Sequence, residues 1–111
     1  MMELDDIFNV FRKKADIGAG VREYRAQRQA MLVDVREKSE YANGHIDGSR
    51  NIPLSQISKT TSAIHDKNMP IYVYCQSGSR SRKAKSELEK MGYTNVKNIG
   101  GLDDFKGRLV K

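Results

Sequence analysis

The chain has 111 residues and a formal net charge of +6, from 20 Lys and Arg against 14 Asp and Glu. A chain of this length can bury about two-thirds of the surface that its unfolded form exposes, which suits one self-sufficient core and leaves no room for a second domain. One cysteine excludes an internal disulfide, and one cysteine with two histidines is too few for a structural zinc site, so we expect no metal and no cofactor. The basic residues are dispersed among acidic ones, which argues against a nucleic-acid interface.

The N-terminal half predicts helices before and after one buried strand. Apolar residues at helical spacing predict a helical extension over residues 1–17, with its helix at residues 3–14, and a second helix over residues 19–29. Met31–Val35 is a short apolar run typical of a strand buried on both faces. A short helix over Glu37–Asn43 and a brief strand at Asn51–Ile52 are expected to follow.

The C-terminal half repeats this alternation. Leu54–Asp66 is a polar, helix-forming stretch, Ile71–Tyr74 reads as a second buried strand, and Val96–Ile99 as a third clear one. Between these strands a helix is predicted to begin at Ser81 as its N-cap and to end near Gly92, and a final short helix is expected over Leu102–Leu109. Strands that alternate with helices indicate an α/β domain with a mostly parallel sheet over residues 18–111.

No apolar run approaches the ~20 residues of a membrane span, and the first residues are acidic where a signal peptide would be basic. We therefore expect a cytoplasmic protein, with no membrane association and a thiol that remains reduced. The chain is predicted to be a monomer. Dimerisation through the apolar side of residues 3–14 is the alternative.

The chemistry is predicted at Cys75, which directly follows a buried strand. The next five residues are small, polar or basic, and in such a turn successive backbone N–H groups can point inward. The positive end of the following helix adds to this field, and Arg80 at ~4 Å would stabilise a thiolate further. An unperturbed thiol is only about 3% ionised at pH 7, so these groups would turn Cys75 into a nucleophile.

Two ordered signatures resemble those of single-domain rhodaneses. The first comprises Leu32–Glu37, Glu40–Ile46 and Gly48–Leu54, and the second is the loop Tyr72–Ser81. With Gly100–Gly101, the similarity extends over roughly residues 18–108. The resemblance implies a rhodanese-like α/β fold, with a five-stranded, mostly parallel sheet and helices on both faces.

The resemblance further implies a sulfurtransferase of the thiosulfate sulfurtransferase type. Cys75 would accept sulfane sulfur from a small anionic donor, such as thiosulfate, or from a persulfide, and pass it to a thiol, cyanide or a protein acceptor. The anion-binding residues would be those of the loop and the helix start: Gln76, Ser77, Gly78, Ser79, Arg80 and Ser81. Position 76 is often basic in thiosulfate-using relatives, so the uncharged Gln76 leaves the preferred donor open.

Three further residues of the first signature are expected to have structural roles near the site. Asp34 and Arg36 would organise the end of the first strand by hydrogen bonds and an ion pair, with Glu37 or Glu40 as a candidate partner. His45 is interpreted as a satisfied structural residue, because chemistry on a thiolate of low pKa needs no general base.

Two other functions remain open from the sequence. A phosphatase or arsenate reductase of a related fold uses a Cys-x5-Arg loop, whereas this chain has Cys-x4-Arg from Cys75 to Arg80. A catalytically silent binding or regulatory module is the other alternative, although silent members of the family tend to lose the cysteine that this chain keeps.

Overall fold

The computed structural model describes residues 15–111, so the predicted helix at residues 3–14 lies outside the described residues. The helices are α1 (Ile17–Ala26), α2 (Lys38–Ala42), α3 (Thr60–Ala63) and α4 (Ser79–Lys90), with 3-10 turns at Leu54–Lys59 and Leu102–Asp104. The strands are β1 (Met31–Asp34), β2 (His45–Ile46), β3 (Ser49–Asn51), β4 (Ile71–Cys75), β5 (Val96–Gly101) and β6 (Leu109–Val110). Of the helices in this part of the chain, none is long and apolar enough to cross a membrane.

The central sheet confirms the predicted α/β class. Its strands run in the order β3-β1-β4-β5, and every neighbouring pair is parallel. Within residues 15–111 the sheet has four strands rather than the expected five, and β2 pairs antiparallel with β6 in a separate two-stranded sheet. Parallel strands place their carboxyl ends at one edge of the sheet, which brings the ends of β1, β4 and β5 together.

Buried side chains pack on both faces of the sheet, which agrees with the prediction of helices on both faces. Side chains alternate between faces along a strand, so Val33 and Val73 pack with Leu88 of α4, whereas Leu32 and Tyr72 pack on the other side. That second layer is covered by α1, which contributes buried residues Ile17 and Val21. The strand β4 is buried at every position, as its uninterrupted apolar pattern predicted.

The predicted helix over Leu102–Leu109 is wrong. Only Leu102–Asp104 forms a 3-10 turn, and the backbone becomes extended at Phe105, with φ −82° and ψ 123°. The chain then returns to pair Leu109 with Ile46. A local helical pattern was overridden here by strand pairing with a segment more than sixty residues earlier in the sequence.

Candidate active site

The candidate site lies where β4 ends and α4 begins. Cys75 is the last residue of β4, is fully buried, and is a free thiol. Three residues later Gly78, with a φ of +100°, serves as the N-cap of α4. This left-handed backbone turns the chain back over the sulfur, and it is a conformation that strongly favours glycine. We call residues 75–80 the Cys75 loop.

The sulfur of Cys75 is surrounded by hydrogen-bond donors. The N–H of Gly78 lies 3.0 Å from Sγ, the N–H of Ser81 lies 3.4 Å away, and the Ser81 hydroxyl lies 3.5 Å away. Burial opposes ionisation, but the hydrogen bonds from the Ser81 side chain and from the backbone of Ser81, Gly78 and Ser77 outweigh it, and they lower the pKa of Cys75 below its ordinary value. The positive end of α4 acts in the same direction.

Ser81 has a different role from the N-cap that its sequence position predicted. The helix begins two residues earlier, and the buried Ser81 lies inside its first turn. Its hydroxyl is 2.7 Å from Oδ1 of Asn98 and 3.0 Å from the carbonyl of Gly78. The sequence analysis missed Asn98, whose Oδ1 also accepts from the N–H of Gly100 at 3.0 Å. These contacts fix the first turn of α4 against β5.

Arg80 does not point its guanidinium at the sulfur as an unpaired cation. Its Nη1 and Nη2 donate to the two carboxylate oxygens of Glu40 at 2.6 and 3.0 Å. The Glu40 carboxylate also accepts from the N–H of Glu37 at 2.9 Å. The first and second signatures therefore meet through a bidentate ion pair between α2 and α4.

Asp34 and Arg36 form a second ion pair, at the end of β1. Nε and Nη2 of Arg36 donate to the Asp34 carboxylate at 2.8 to 3.1 Å, and Nη2 also donates to the carbonyl of Gly44 at 2.7 Å. The partner of Arg36 is thus Asp34, and neither Glu37 nor Glu40. Nη1 reaches Oε1 of Gln76 at 3.2 Å, which links this pair to the Cys75 loop.

The loop is held from its other side by the segment after β5. Gln76 donates from Nε2 to Asp103 at 2.7 Å. A Cβ at Gly101 would lie 2.3 Å from the carbonyl oxygen of Gln76, so this close approach of two backbones requires glycine. A pocket of about 240 Å³ lies beside this contact and is lined by loop residues Ser77, Gly78 and Ser79 together with Arg82.

His45 lies on β2, whereas Cys75 lies at the end of β4. Its ring stacks on Tyr41, with centroids 3.7 Å apart, and Nδ1 is 2.8 Å from the Tyr41 carbonyl oxygen. Because a carbonyl only accepts, Nδ1 carries the proton. The sequence analysis also missed Tyr74, whose buried hydroxyl accepts from the N–H of Ile46 and donates to Ser49 Oγ, at 3.1 and 3.0 Å. Within residues 15–111, no three His, Cys, Asp or Glu side chains are grouped to hold a metal ion.

The sequence model of the rhodanese-like domain family matches residues 20–108 of this chain. The chain belongs to the rhodanese-like domain family. Among relatives, the thiosulfate sulfurtransferase PspE of Escherichia coli is 42% identical over 80 residues, which cover 71% of this chain and 77% of PspE. The uncharacterized protein YqhL of Bacillus subtilis is 44% identical over 89 residues, covering 78% of this chain and 70% of YqhL.

Solved structures agree with this membership. A rhodanese with anions from E. coli superposes with a TM-score of 0.69 at 41% identity, covering 74% of this chain and 98% of that one. The rhodanese-like fold expected from the two signatures is therefore confirmed.

Proposed function

We propose that the protein is a sulfurtransferase that carries sulfane sulfur on Cys75 as a persulfide. The observation that supports this most directly is the set of donors around the sulfur, at 3.0 to 3.5 Å from Sγ. A buried sulfur with such donors is stabilised as an anion. Membership of the rhodanese-like family, and the similarity to a thiosulfate sulfurtransferase, support sulfur as the transferred group.

The proposed reaction has two displacement steps. The Cys75 thiolate attacks the sulfane sulfur of thiosulfate, a new S–S bond forms, and sulfite leaves with the electron pair of the broken S–S bond. The resulting persulfide anion is then attacked at its terminal sulfur by cyanide or a thiolate, which regenerates the Cys75 thiolate. The cycle begins and ends with the Cys75 thiolate and passes through a persulfide anion, and neither step transfers a proton, so no general base is needed.

The loop residues have separate roles in this proposal. The N–H groups of Ser77, Gly78 and Ser81 stabilise the negative charge on sulfur. Gln76 and Ser79 contribute uncharged polar side chains to the loop. Asp34, Arg36 and His45 position the surrounding backbone, since none of them contacts Sγ at hydrogen-bond distance among the described contacts. The persulfide must be built on a free thiolate, so a reducing compartment such as the cytoplasm is part of the proposal.

The partners we propose are a small anionic sulfur donor or a persulfide, and a thiol, cyanide or protein acceptor, with the chain acting as a monomer. The Cys-x4-Arg spacing makes a smaller loop than Cys-x5-Arg, which suits one sulfur atom better than a tetrahedral oxyanion and argues against a phosphatase or arsenate reductase. The polarised thiol argues against a silent module.

Intact mass spectrometry tests the proposal. After incubation with thiosulfate, the protein is expected to gain the mass of one sulfur atom, and cyanide should remove it. Cys75→Ala is the control, because no other cysteine exists in the chain. An adduct that persists in this variant, or no adduct with any donor, would contradict the mechanism. Release of phosphate from an aryl phosphate without a sulfur adduct would favour the phosphatase instead.

The ionisation of Cys75 has its own test. The rate of alkylation by iodoacetamide should reach half of its maximum at a pH below ~8.5, the ordinary pKa of a thiol. Ser81→Ala removes a hydroxyl that lies 3.5 Å from Sγ and should shift this midpoint upward. A midpoint at or above 8.5 in the unaltered protein would show that the donors do not stabilise the thiolate.

A further inference from the structure

Glu40 forms an ion pair with Arg80, the last residue of the Cys75 loop. Both guanidinium nitrogens that face Glu40 are used, at 2.6 and 3.0 Å, in the bidentate geometry that gives strong and directional pairing. Each side chain is 33% exposed, so the pair lies at the rim of the site rather than in the core. The second hydrogen bond to Glu40, from the N–H of Glu37, holds the carboxylate in place.

The positive charge of Arg80 is therefore balanced by a carboxylate within hydrogen-bond distance. The hydrogen bond that Arg80 donates to Glu40 is the main cause that raises the pKa of the guanidinium, and the charge of Cys75 adds a smaller contribution. The hydrogen bond with Arg80 holds the pKa of Glu40 at about 2, so the carboxylate stays ionised at neutral pH. The pair is consequently neutral as a unit under working conditions.

A second arginine, which hydrogen-bonds to the Cys75 loop, is balanced in the same way. Arg36, which donates to Gln76, is bound to the carboxylate of Asp34. Position 76 itself is uncharged. The net charge of +6 thus does not create two unpaired cations at the loop, because each of these arginines has its own carboxylate.

We propose that Glu40 is a specificity-determining residue that neutralises Arg80 and thereby disfavours doubly charged donors. Thiosulfate brings two negative charges to the sulfur, whereas a persulfide group brings one. A loop that stabilises anions through backbone N–H groups, with its arginines balanced, is suited to the donor of lower charge. This substrate preference rests on the proposed sulfurtransferase function, but the effect of Glu40 on the charge at Cys75 does not.

Alkylation of Cys75 measures that charge without requiring sulfur transfer. Iodoacetate and iodoacetamide react with the same thiolate and differ in charge, so the ratio of their rate constants reports the local potential. Glu40→Gln keeps the shape of the side chain and removes its charge. The ratio of the iodoacetate to the iodoacetamide rate constant is expected to rise about 3- to 10-fold in this variant at low salt and to fall back as salt is added.

Two controls make the result specific. Glu89→Gln removes one acidic charge from an exposed ion pair with Lys85 on α4, at 3.0 Å, so it matches the change in net charge. It should leave the ratio unchanged. The double variant Glu40→Gln with Arg80→Gln removes both charges of the rim pair, and its ratio should return to within about 2-fold of the unaltered protein. Equal ratios in Glu40→Gln and Glu89→Gln would overturn the inference.

Sulfur transfer then tests the donor preference. In Glu40→Gln, kcat/KM for thiosulfate should rise several-fold more than kcat/KM for a small alkyl persulfide. An equal change for both donors would show that Glu40 does not select the donor by charge. If neither the unaltered protein nor the variant forms a sulfur adduct, the proposed function fails, whereas the alkylation ratio still decides whether Glu40 controls the charge at Cys75.

Discussion

Two arginine–carboxylate pairs flank the Cys75 loop, and they differ mainly in burial. In the pair at the end of β1, the side chains of Arg36 and Asp34 are 5% and 0% exposed, whereas those of Arg80 and Glu40 are both 33% exposed. Both pairs have short contacts and bidentate geometry. Removal of one partner is nevertheless expected to have different effects on the free energy of unfolding. The effect should be small at the outer pair, which water screens, and large at the inner pair, where water cannot solvate the remaining charge.

The comparison shows that arginine has two different roles around one site. The inner guanidinium is held on three sides, by Asp34, Gly44 and Gln76, so it supports the backbone that carries the loop. Burial by itself would lower the pKa of Arg36, but the hydrogen bond and charge of Asp34 raise it, so the charge is retained. We expect the outer pair to tolerate substitution without loss of the fold, which makes it the place where specificity can be adjusted.

The largest expected effect is that of Asp34→Asn, which leaves the buried guanidinium of Arg36 without its counter-charge. We expect a loss of about 3–5 kcal/mol in the free energy of unfolding, measured by urea denaturation. Glu40→Gln is the matched substitution at the outer pair and should cost less than about 1 kcal/mol. Similar costs for the two variants would show that burial does not separate the pairs.

A smaller loss in the free energy of unfolding is expected for Tyr74→Phe. This variant removes a buried hydroxyl that carries no charge, so it tests burial without a change of charge. The variant leaves the buried N–H of Ile46 without its acceptor, and such a loss costs about 1–3 kcal/mol. Tyr24→Phe is the control, because the Tyr24 hydroxyl makes only a long contact of 3.4 Å to the Gly48 carbonyl. Thermal or urea unfolding should rank Tyr74→Phe clearly below Tyr24→Phe in stability. The reverse ranking would contradict the role assigned to the Tyr74 hydroxyl.

Arg80→Gln should have a smaller effect still, below about 1 kcal/mol, because both partners of the outer pair are partly solvated. The difference from the unaltered protein should shrink further at high salt. Urea denaturation at two salt concentrations measures both quantities. A loss above 2 kcal/mol would show that the pair supports the fold and is not only a rim feature.

The smallest effect is the acid dependence of the outer pair. The pKa of Glu40 is about 2 in the folded chain, against ~4.3 for an unperturbed glutamate. The resulting stability is present above the unfolded pKa and is lost as the pH falls through about 2. The stability difference between the unaltered protein and Arg80→Gln should therefore decrease from pH 5 to pH 2. An NMR titration of the Glu40 carboxyl should show its pKa rising in Arg80→Gln, and an unchanged pKa would exclude Arg80 as its cause.

Much of the fold followed from local pattern. The buried strands at Met31–Asp34 and Ile71–Cys75 were recognisable from uninterrupted apolar runs, and the helix before Gly92 from its apolar spacing. The boundaries shifted where tertiary contacts compete with local signals. Ser81 resembles an N-cap in sequence, but the left-handed Gly78 is the N-cap three residues earlier, and the Ser81 hydroxyl points inward. The residues after Leu102 resemble a helix, but pairing with β2 extends them.

The candidate site shows the same division. The sequence by itself determined the candidate nucleophile, the loop and the family signatures, because these depend on residue types at fixed spacing. Only the tertiary structure decided which carboxylate each arginine binds. It also decided that Asn98 binds the Ser81 hydroxyl and that the Tyr74 hydroxyl binds the backbone of Ile46. Those partners come from separate strands and helices, and no spacing along the chain encodes their distances. The charge that a donor meets at Cys75 is for this reason a property of the packed elements and not of the local sequence.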